Sequence, residues 1–308
     1  RIGVFVVTLL IASVAVFLVL AWLPGDPAEV AAGTQATPTQ VAELRKEFGL
    51  DGSPAARYGN WLKGVVTGDL GKTFISKRSI ASELEDRMPV TLPLVFLGMF
   101  LAIIVAVPLG VIAAVRHRRA VGTGIAVVSQ IGIAIPAFWA GLLLTTFVAV
   151  RWGILPAGGI LDWDDPWEAV KILVLPAVSL AIVQGAILTR YVRSAVLEVM
   201  REDFVRTARA KGASRSQTLR RHVLRNAAIP VVTVLGLQLT ALLVGAVVIE
   251  NVFTLNGLGT QLVDAIGNRE VVLVQDLIMF LTAAVLLTNL VVDLAYHAID
   301  PRLRARSR

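Results

Sequence analysis

Six stretches of this chain hold no Asp, Glu, Lys or Arg: residues 2–25, 88–115, 120–150, 172–189, 226–249 and 277–292. A hydrocarbon core of about 30 Å takes about 20 apolar helical residues to cross. Five runs reach that length or nearly so. The sixth, 277–292, spans only if Asp276 and Asp293 lie close to the interfaces. Over the 308 residues 17% are charged, against about 25% in an ordinary soluble domain, and the segregation of those charges says more than their number. Buried helices of a soluble protein do not account for six such runs. The pattern predicts an all-α, polytopic membrane protein with six transmembrane helices, near 2–22, 90–115, 121–150, 172–191, 228–249 and 276–298. The first run is longer than the apolar part of a signal peptide and stays bulky up to Trp22, so it reads as a true span.

The chain has no cysteine, which excludes disulfides and thiolate-bound metal. A net charge of +7 fits orientation in a bilayer better than nucleic-acid binding. Short loops rich in Lys and Arg stay cytoplasmic. Arg116, Arg118 and Arg119 follow the second run. A denser set, from Arg190 to Arg225, follows the fourth, and Arg302, Arg304, Arg306 and Arg308 end the chain. The opposite short loops carry only Arg151, Lys171 and Arg269. Both termini are therefore expected in the cytoplasm. Three stretches result: a first transmembrane helix at 1–22, an extracellular segment at 23–89 that caps the spans, and a five-helix core at 90–308 with a cytoplasmic loop at 193–227.

Leu23-Pro24-Gly25-Asp26-Pro27 breaks the first span. A helix is expected from Thr39 to about Phe48, closed by Gly49. Another, over 58–66, carries Tyr58, Trp61, Leu62 and Val65 on one face, suited to the membrane surface or to packing on the spans. Trp152, Trp163 and Trp167 suit an interfacial aromatic belt. Pro93, Pro108, Pro136, Pro176 and Pro230 fall within spans or at their ends, where freed carbonyls find other partners.

The inner segment is the most informative. Before Gly212 its pattern is helical, with Val199, Phe204 and Ala208 apolar and charges elsewhere. Gly212 suits the left-handed residue that ends a helix, and Ser214 can cap the next. A helix–turn–helix results. It suits either a basic loop held to anionic lipid or a docking knob for a cytoplasmic partner.

Polar residues inside spans are pathway candidates. Gln130, Gln184, Gln238 and Asn289 are uncharged and equally suited to bonding neighbouring helices. Glu250 closes the fifth span at the expected outer mouth, as a gate or as an interfacial carboxylate. Asp293 and His297 share a helix face, as a proton relay or an inner-interface pair. Span interiors otherwise lack charge, which weighs against an ion-coupled transporter or channel, the alternative reading. Gly68-Asp69-Leu70-Gly71-Lys72-Thr73 ends like a P-loop, but the first glycine of that motif would fall on Val66.

Arg206-Thr207-Ala208-Arg209-Ala210-Lys211-Gly212 resembles the EAA loop of bacterial ABC import permeases, in the Ala-Arg-Ala-Lys-Gly form of the dipeptide/oligopeptide (DppB/OppB-like) family. Leu23–Pro27, Gly68–Thr73, Arg221–Ala227, Ile249–Phe253, Gly257-Leu258-Gly259 and Asp300-Pro301-Arg302 extend the likeness over the whole chain. The long first outer segment resembles the B-type member. Arg206 stands at the loop's glutamate position and Arg225 at its later proline, so a salt bridge from that glutamate does not carry over. The resemblance implies the ABC type I importer permease fold in a bacterial cytoplasmic membrane. It implies a coupling helix near 202–211, with Glu202, Arg206, Thr207, Ala208, Arg209, Lys211, Gly212 and Arg215 facing an ATPase, and Glu250, Gln238 and Gln184 as pathway or gate candidates. It further implies a homologous second permease (DppC-like), two ATP-binding subunits and an extracellular substrate-binding protein. ATP and Mg²⁺ would belong to those ATPases, this chain being non-catalytic and without a cofactor or metal of its own. Short peptides are the expected cargo, with nickel, glutathione or haem open.

Overall fold

The computed structural model describes residues 2–22, 26–33 and 36–299, apart from the side chains of Ala31, Asp293 and residues 295–299. The Leu23-Pro24-Gly25 part of the first breaker, the Asp293/His297 pair and the terminal arginines therefore lie outside the described residues. The chain divides into two compact units. One comprises residues 1–91 and 256–287, the other 92–255 and 288–308.

The first unit opens with α1 (Ile2–Ala21), whose buried residues are Ser13, Phe17 and Leu20. Asp26 caps α2 (Pro27–Ala32) by accepting from the Ala28 N–H. Helix α3 (Pro38–Glu47) starts at a Thr37/Gln40 capping box, two residues before the expected Thr39. Proline is favoured in the first turn, where its missing N–H costs nothing, and this draws Pro38 inside the helix. Gly49, at φ +63°, closes α3. Ser53 caps α4 (Pro54–Thr67). The aromatic stripe of α4 packs on a span: Tyr58 Oη shares a hydrogen bond with Ser13 Oγ at 2.9 Å. The Phe17 ring meets Tyr58 edge-on at 5.4 Å and stacks on Trp61 at 6.4 Å.

Gly68–Thr73 folds as a tight reversal. The Thr73 N–H donates to Arg78 O, the Ile80 N–H to Gly71 O, and Lys72 pairs with Ser79. No phosphate cradle forms there. Leu20, Ile80, Leu84, Leu258, Leu273 and Leu277 form this unit's core, each worth about 1.5–3 kcal/mol when fully buried. They come from α1, the start of α5 (Ile80–Val115), α12 (Leu258–Gly267) and the start of α13 (Val271–Ile299). The buried Thr91 Oγ1 accepts the free N–H of Leu258 at 2.9 Å, so α5 satisfies the start of α12.

The sixth span differs from its expectation. Helix α13 begins at Val271, five residues before the expected Asp276, which lies buried in its second turn at 2% exposure. Earlier helical residues supply the missing length.

In the second unit the third charge-free run, expected as one span over 121–150, is broken into two helices. Helices α6 (Ala120–Ala134) and α7 (Ala137–Leu144) meet at a 96° bend. The cause is local: Ile135 precedes a proline and is extended, at φ −82° and ψ 120°. The proline ring disfavours helical geometry there, and Pro136 donates no N–H. A π-helical segment, Thr145–Arg151, continues α7. Helix α8 (Pro166–Val199) runs through Pro176, and α9 (Asp203–Ala210) follows it. The short α10 (Arg215–Thr218) passes through a π turn (Leu219–Val223) into α11 (Leu224–Val252).

Five helices are long and apolar enough to cross a membrane, and the bent α6–α7 pair brings the number to six among the described residues. Close packing rests on glycine: a Cβ on Gly110 would lie 2.6 Å from Val192 Cβ, and one on Gly132 2.8 Å from Ala186 Cβ. Trp152, Trp163 and Trp167 are all exposed.

Candidate functional site

The predicted inner segment is built at the end of α8. After the Met200 cap the chain turns, and Glu202 begins α9 in an extended conformation with no side-chain cap. The apolar anchor of α9 is Val205, 5% exposed, while Phe204 is 42% exposed. Phe204 was the expected contact, and the eight-residue α9 is too short for periodicity to separate neighbours one position apart. Val205 joins a core made by Ala106 of α5, Leu188, Val192 and Val196 of α8, Val223 of the π turn and Ala227 of α11. The helix is therefore tied to the bundle through one side chain backed by three long helices.

Its exit is doubly bonded. The Gly212 N–H donates to Arg209 O and the Ala213 N–H to Ala208 O, the pairing of a Schellman close. Gly212 takes φ +90°, a conformation that costs glycine little. Ser214 and Gln217 then form a capping box for α10. Ala208 is half-buried, while Glu202, Arg206, Thr207, Arg209, Lys211 and Arg215 are exposed. Within α9, Arg206 pairs weakly with Asp203 at 3.5 Å, both side chains well exposed. Thr207 Oγ1 donates to Asp203 O. Arg209, Lys211 and Arg215 form no ion pair among the described residues. The α8–α9 junction also bounds a cleft of about 440 Å³, lined in part by Glu198, Arg201, Glu202 and Asp203. Arg209, Lys211 and Arg215 thus face outward with no ion pair of their own among the described residues.

The span candidates are distributed differently. Gln184 lies on α8, and its Oε1 is buried with no hydrogen-bond partner among the described residues. Gln238 and Glu250 lie on α11 at 6% and 0% exposure. Helices α8 and α11 pack along one another, with Gly245 of α11 against Leu180 of α8. Glu250 has no accessible surface in this conformation, whereas Gln130 is exposed.

Three buried carboxyl groups in the first unit have partners that the sequence reading missed. Glu83, 7% exposed, accepts from Gln261 Nε2 at 2.9 Å and pairs with Arg78 at 3.3 Å. Glu270 Oε2 accepts from the Phe74 N–H at 2.9 Å. Asp276 Oδ1 accepts from Trp61 Nε1 at 2.7 Å. The available signal was ionisable side chains close to apolar runs, and of these only Asp276 was singled out, as a span boundary.

The family model for the inner membrane component of binding-protein-dependent transport systems matches residues 106–305, and the N-terminal model of the same component matches residues 1–95. The chain belongs to this family. As such a component it is a multi-pass membrane protein. The dipeptide transport system permease protein DppB of Escherichia coli is 35% identical over 329 residues, 99% of this chain and 97% of that protein. The glutathione transport system permease protein GsiC of Escherichia coli is 38% identical over 297 residues, 96% of this chain and 95% of that protein. Among solved structures, a chain of the inward-facing MetNI methionine ABC transporter aligns with TM-score 0.59 at 20% identity, covering 71% of this chain and 96% of that one. A chain of an amino acid ABC transporter aligns with TM-score 0.54 at 16% identity, covering 77% and 98%. Those two likenesses establish the ABC importer permease fold for this inner membrane component.

Proposed function

We propose that this chain is the pore-forming permease subunit of an ATP-driven importer of short peptides, and that α9 is the part through which hydrolysis drives it. The carrying observation is the build of α9: a charged helix with its polar groups outward and Val205 fixed into the junction of α5, α8 and α11. A push on such a helix reaches three long helices without a flexible joint between. The peptide cargo rests on the near full-length similarity to DppB.

In this reading residues 200–215 sit in a groove of an ATPase on the cytoplasmic side, where the positive-inside bias also puts both termini. ATP and Mg²⁺ are held by two such subunits and not by this chain. ATP binding closes the ATPase pair, α9 moves with it, and the cavity shared with a homologous second permease changes the side it faces. An extracellular binding protein delivers the peptide. Gln184, Gln238 and Glu250 contribute polar groups to the pathway once α8 and α11 separate. A second reading, glutathione as cargo, is favoured by the equally extensive similarity to GsiC.

The test is uptake into vesicles carrying the full complex, with labelled dipeptide and labelled glutathione, each with and without ATP. ATP-dependent dipeptide uptake that is lost in Gly212→Pro is expected, because proline cannot take φ +90° or donate the bond to Arg209 O. Full ATP-driven uptake by that variant would overturn the coupling role of α9. Uptake of glutathione alone would replace the peptide assignment.

A further inference from the structure

We propose that the cavity beside α1 in the first unit binds an anionic glycerophospholipid. It encloses about 650 Å³, within the roughly 300–1,000 Å³ of ordinary ligand pockets. Its wall is apolar, made by Phe17, Leu20, Val274 and Ile278. Two arginines, Arg57 and Arg269, also line it, and neither forms an ion pair or side-chain hydrogen bond among the described residues. The acid in the lining, Asp26, is already bonded by Arg45. An apolar hollow thus carries two guanidinium groups with no ion pair of their own among the described residues, Arg57 acting on Asp26 only through space.

A second observation points to a ligand independently. Gln275 lines the cavity at 7% exposure, and its Nε2 is buried without a hydrogen-bond partner among the described residues. Buried donors are normally satisfied, and the side chain that carries this one lines the cavity. The location selects the occupant. Helix α1, which lines the cavity through Phe17 and Leu20, also bears exposed Val14, Leu18, Val19 and Trp22, an apolar surface suited to acyl chains. A phosphodiester matches the arginines, which favour fork-like contacts to phosphate. An ester carbonyl matches Gln275, and an acyl chain matches the Leu20–Ile278 wall. Free phosphate would leave that wall empty.

The experiment uses the full complex in nanodiscs with a trace of phosphatidylglycerol bearing a photoreactive acyl chain, followed by peptide mapping. Adducts are expected to concentrate on the segments around Leu20 and Ile278. Unlabelled phosphatidylglycerol should compete, and phosphatidylcholine should not. The Arg57→Gln/Arg269→Gln variant should lose labelling about tenfold or more, the scale of a lost charge-assisted contact. Gln275→Leu, which removes no charge, should also weaken labelling and keeps the proposal testable if the double variant fails to assemble. Even labelling over all exposed helices, equal competition by phosphatidylcholine, or unchanged labelling in both variants would overturn the site. Displacement by a dipeptide would reassign it to cargo. None of these outcomes depends on which solute the importer moves.

Discussion

Trp61 Nε1 donates to Asp276 Oδ1 at 2.7 Å and ties α4 to the second turn of α13. The carboxyl group is 2% exposed, and its other oxygen, Oδ2, has no hydrogen-bond partner among the described residues. Ionisable groups within spans are costly and persist where they are partnered or used. One indole therefore stands between Asp276 and an unsatisfied buried site.

Trp61→Phe keeps the ring against Phe17 but removes the donor, and it is expected to cost about 2 kcal/mol, the usual penalty for stranding a buried polar group. Adding Asp276→Leu should recover more than half, because replacing both partners by apolar groups is close to neutral. Unfolding of the purified complex in detergent measures both. Strictly additive losses would show that the two residues are not coupled.

Thr254 closes α11 at φ +52°, a region that β-branched residues rarely occupy. The Leu255 N–H donates to Glu250 O at 2.8 Å, and Phe253 and Leu255 on either side are buried. The surroundings thus hold the strain in place. Thr254→Gly relieves it at some cost in unfolded-chain entropy, for an expected net gain of about 1 kcal/mol. A raised thermal midpoint is the expected readout, and a lowered one would refute strain at this position.

The same residues show how far the sequence could be read. The charge-free runs located the apolar helices, because a bilayer excludes charge wherever the chain folds. Gly212 and Ser214 were legible because capping is local chemistry. Pro136 was not: a proline in an apolar run suits a mild kink or a full break, and here Ile135 is extended and α7 packs with Gly141 close to Phe253, more than a hundred residues away. Val205 rather than Phe204 anchors α9 because helices α5, α8 and α11 decide which side is inward. Asp276 looked like a boundary because pairing with Trp61, 215 residues earlier in the chain, leaves no mark in a local window.

Acidification should loosen the outer helices through Asp26. Burial pushes its carboxyl pKa up, but the Arg45 guanidinium and the Ala28 N–H outweigh that and hold it below the usual value. A lowered folded pKa adds stability above the ordinary carboxylate pKa of about 4 and loses it as pH falls through the folded value. Amide protection in α2 and α3, taken relative to the intrinsic exchange rate at each pH, should therefore hold from neutral pH to about 5 and fall below about 4. Asp26→Asn should exchange faster at neutral pH and lose the acid dependence. Loss of that protection above pH 7 instead would contradict the sign.

Arg209 and Lys211 separate folding from docking. Both are exposed and unpaired among the described residues, so reversing them to glutamate should change the stability of the chain by no more than about 0.5 kcal/mol. Val205 lies inward, and Val205→Ala removes two buried methyl groups, for an expected loss of about 1–2 kcal/mol. If α9 is read by a partner through its charges, Arg209→Glu/Lys211→Glu should abolish copurification of the ATPase while the unfolding midpoint stays put. Val205→Ala should lower the midpoint yet retain the partner. The opposite pattern, with the charge variant unstable and still bound, would mean that these side chains hold the bundle together, and the transmission of force through α9 would have to be abandoned.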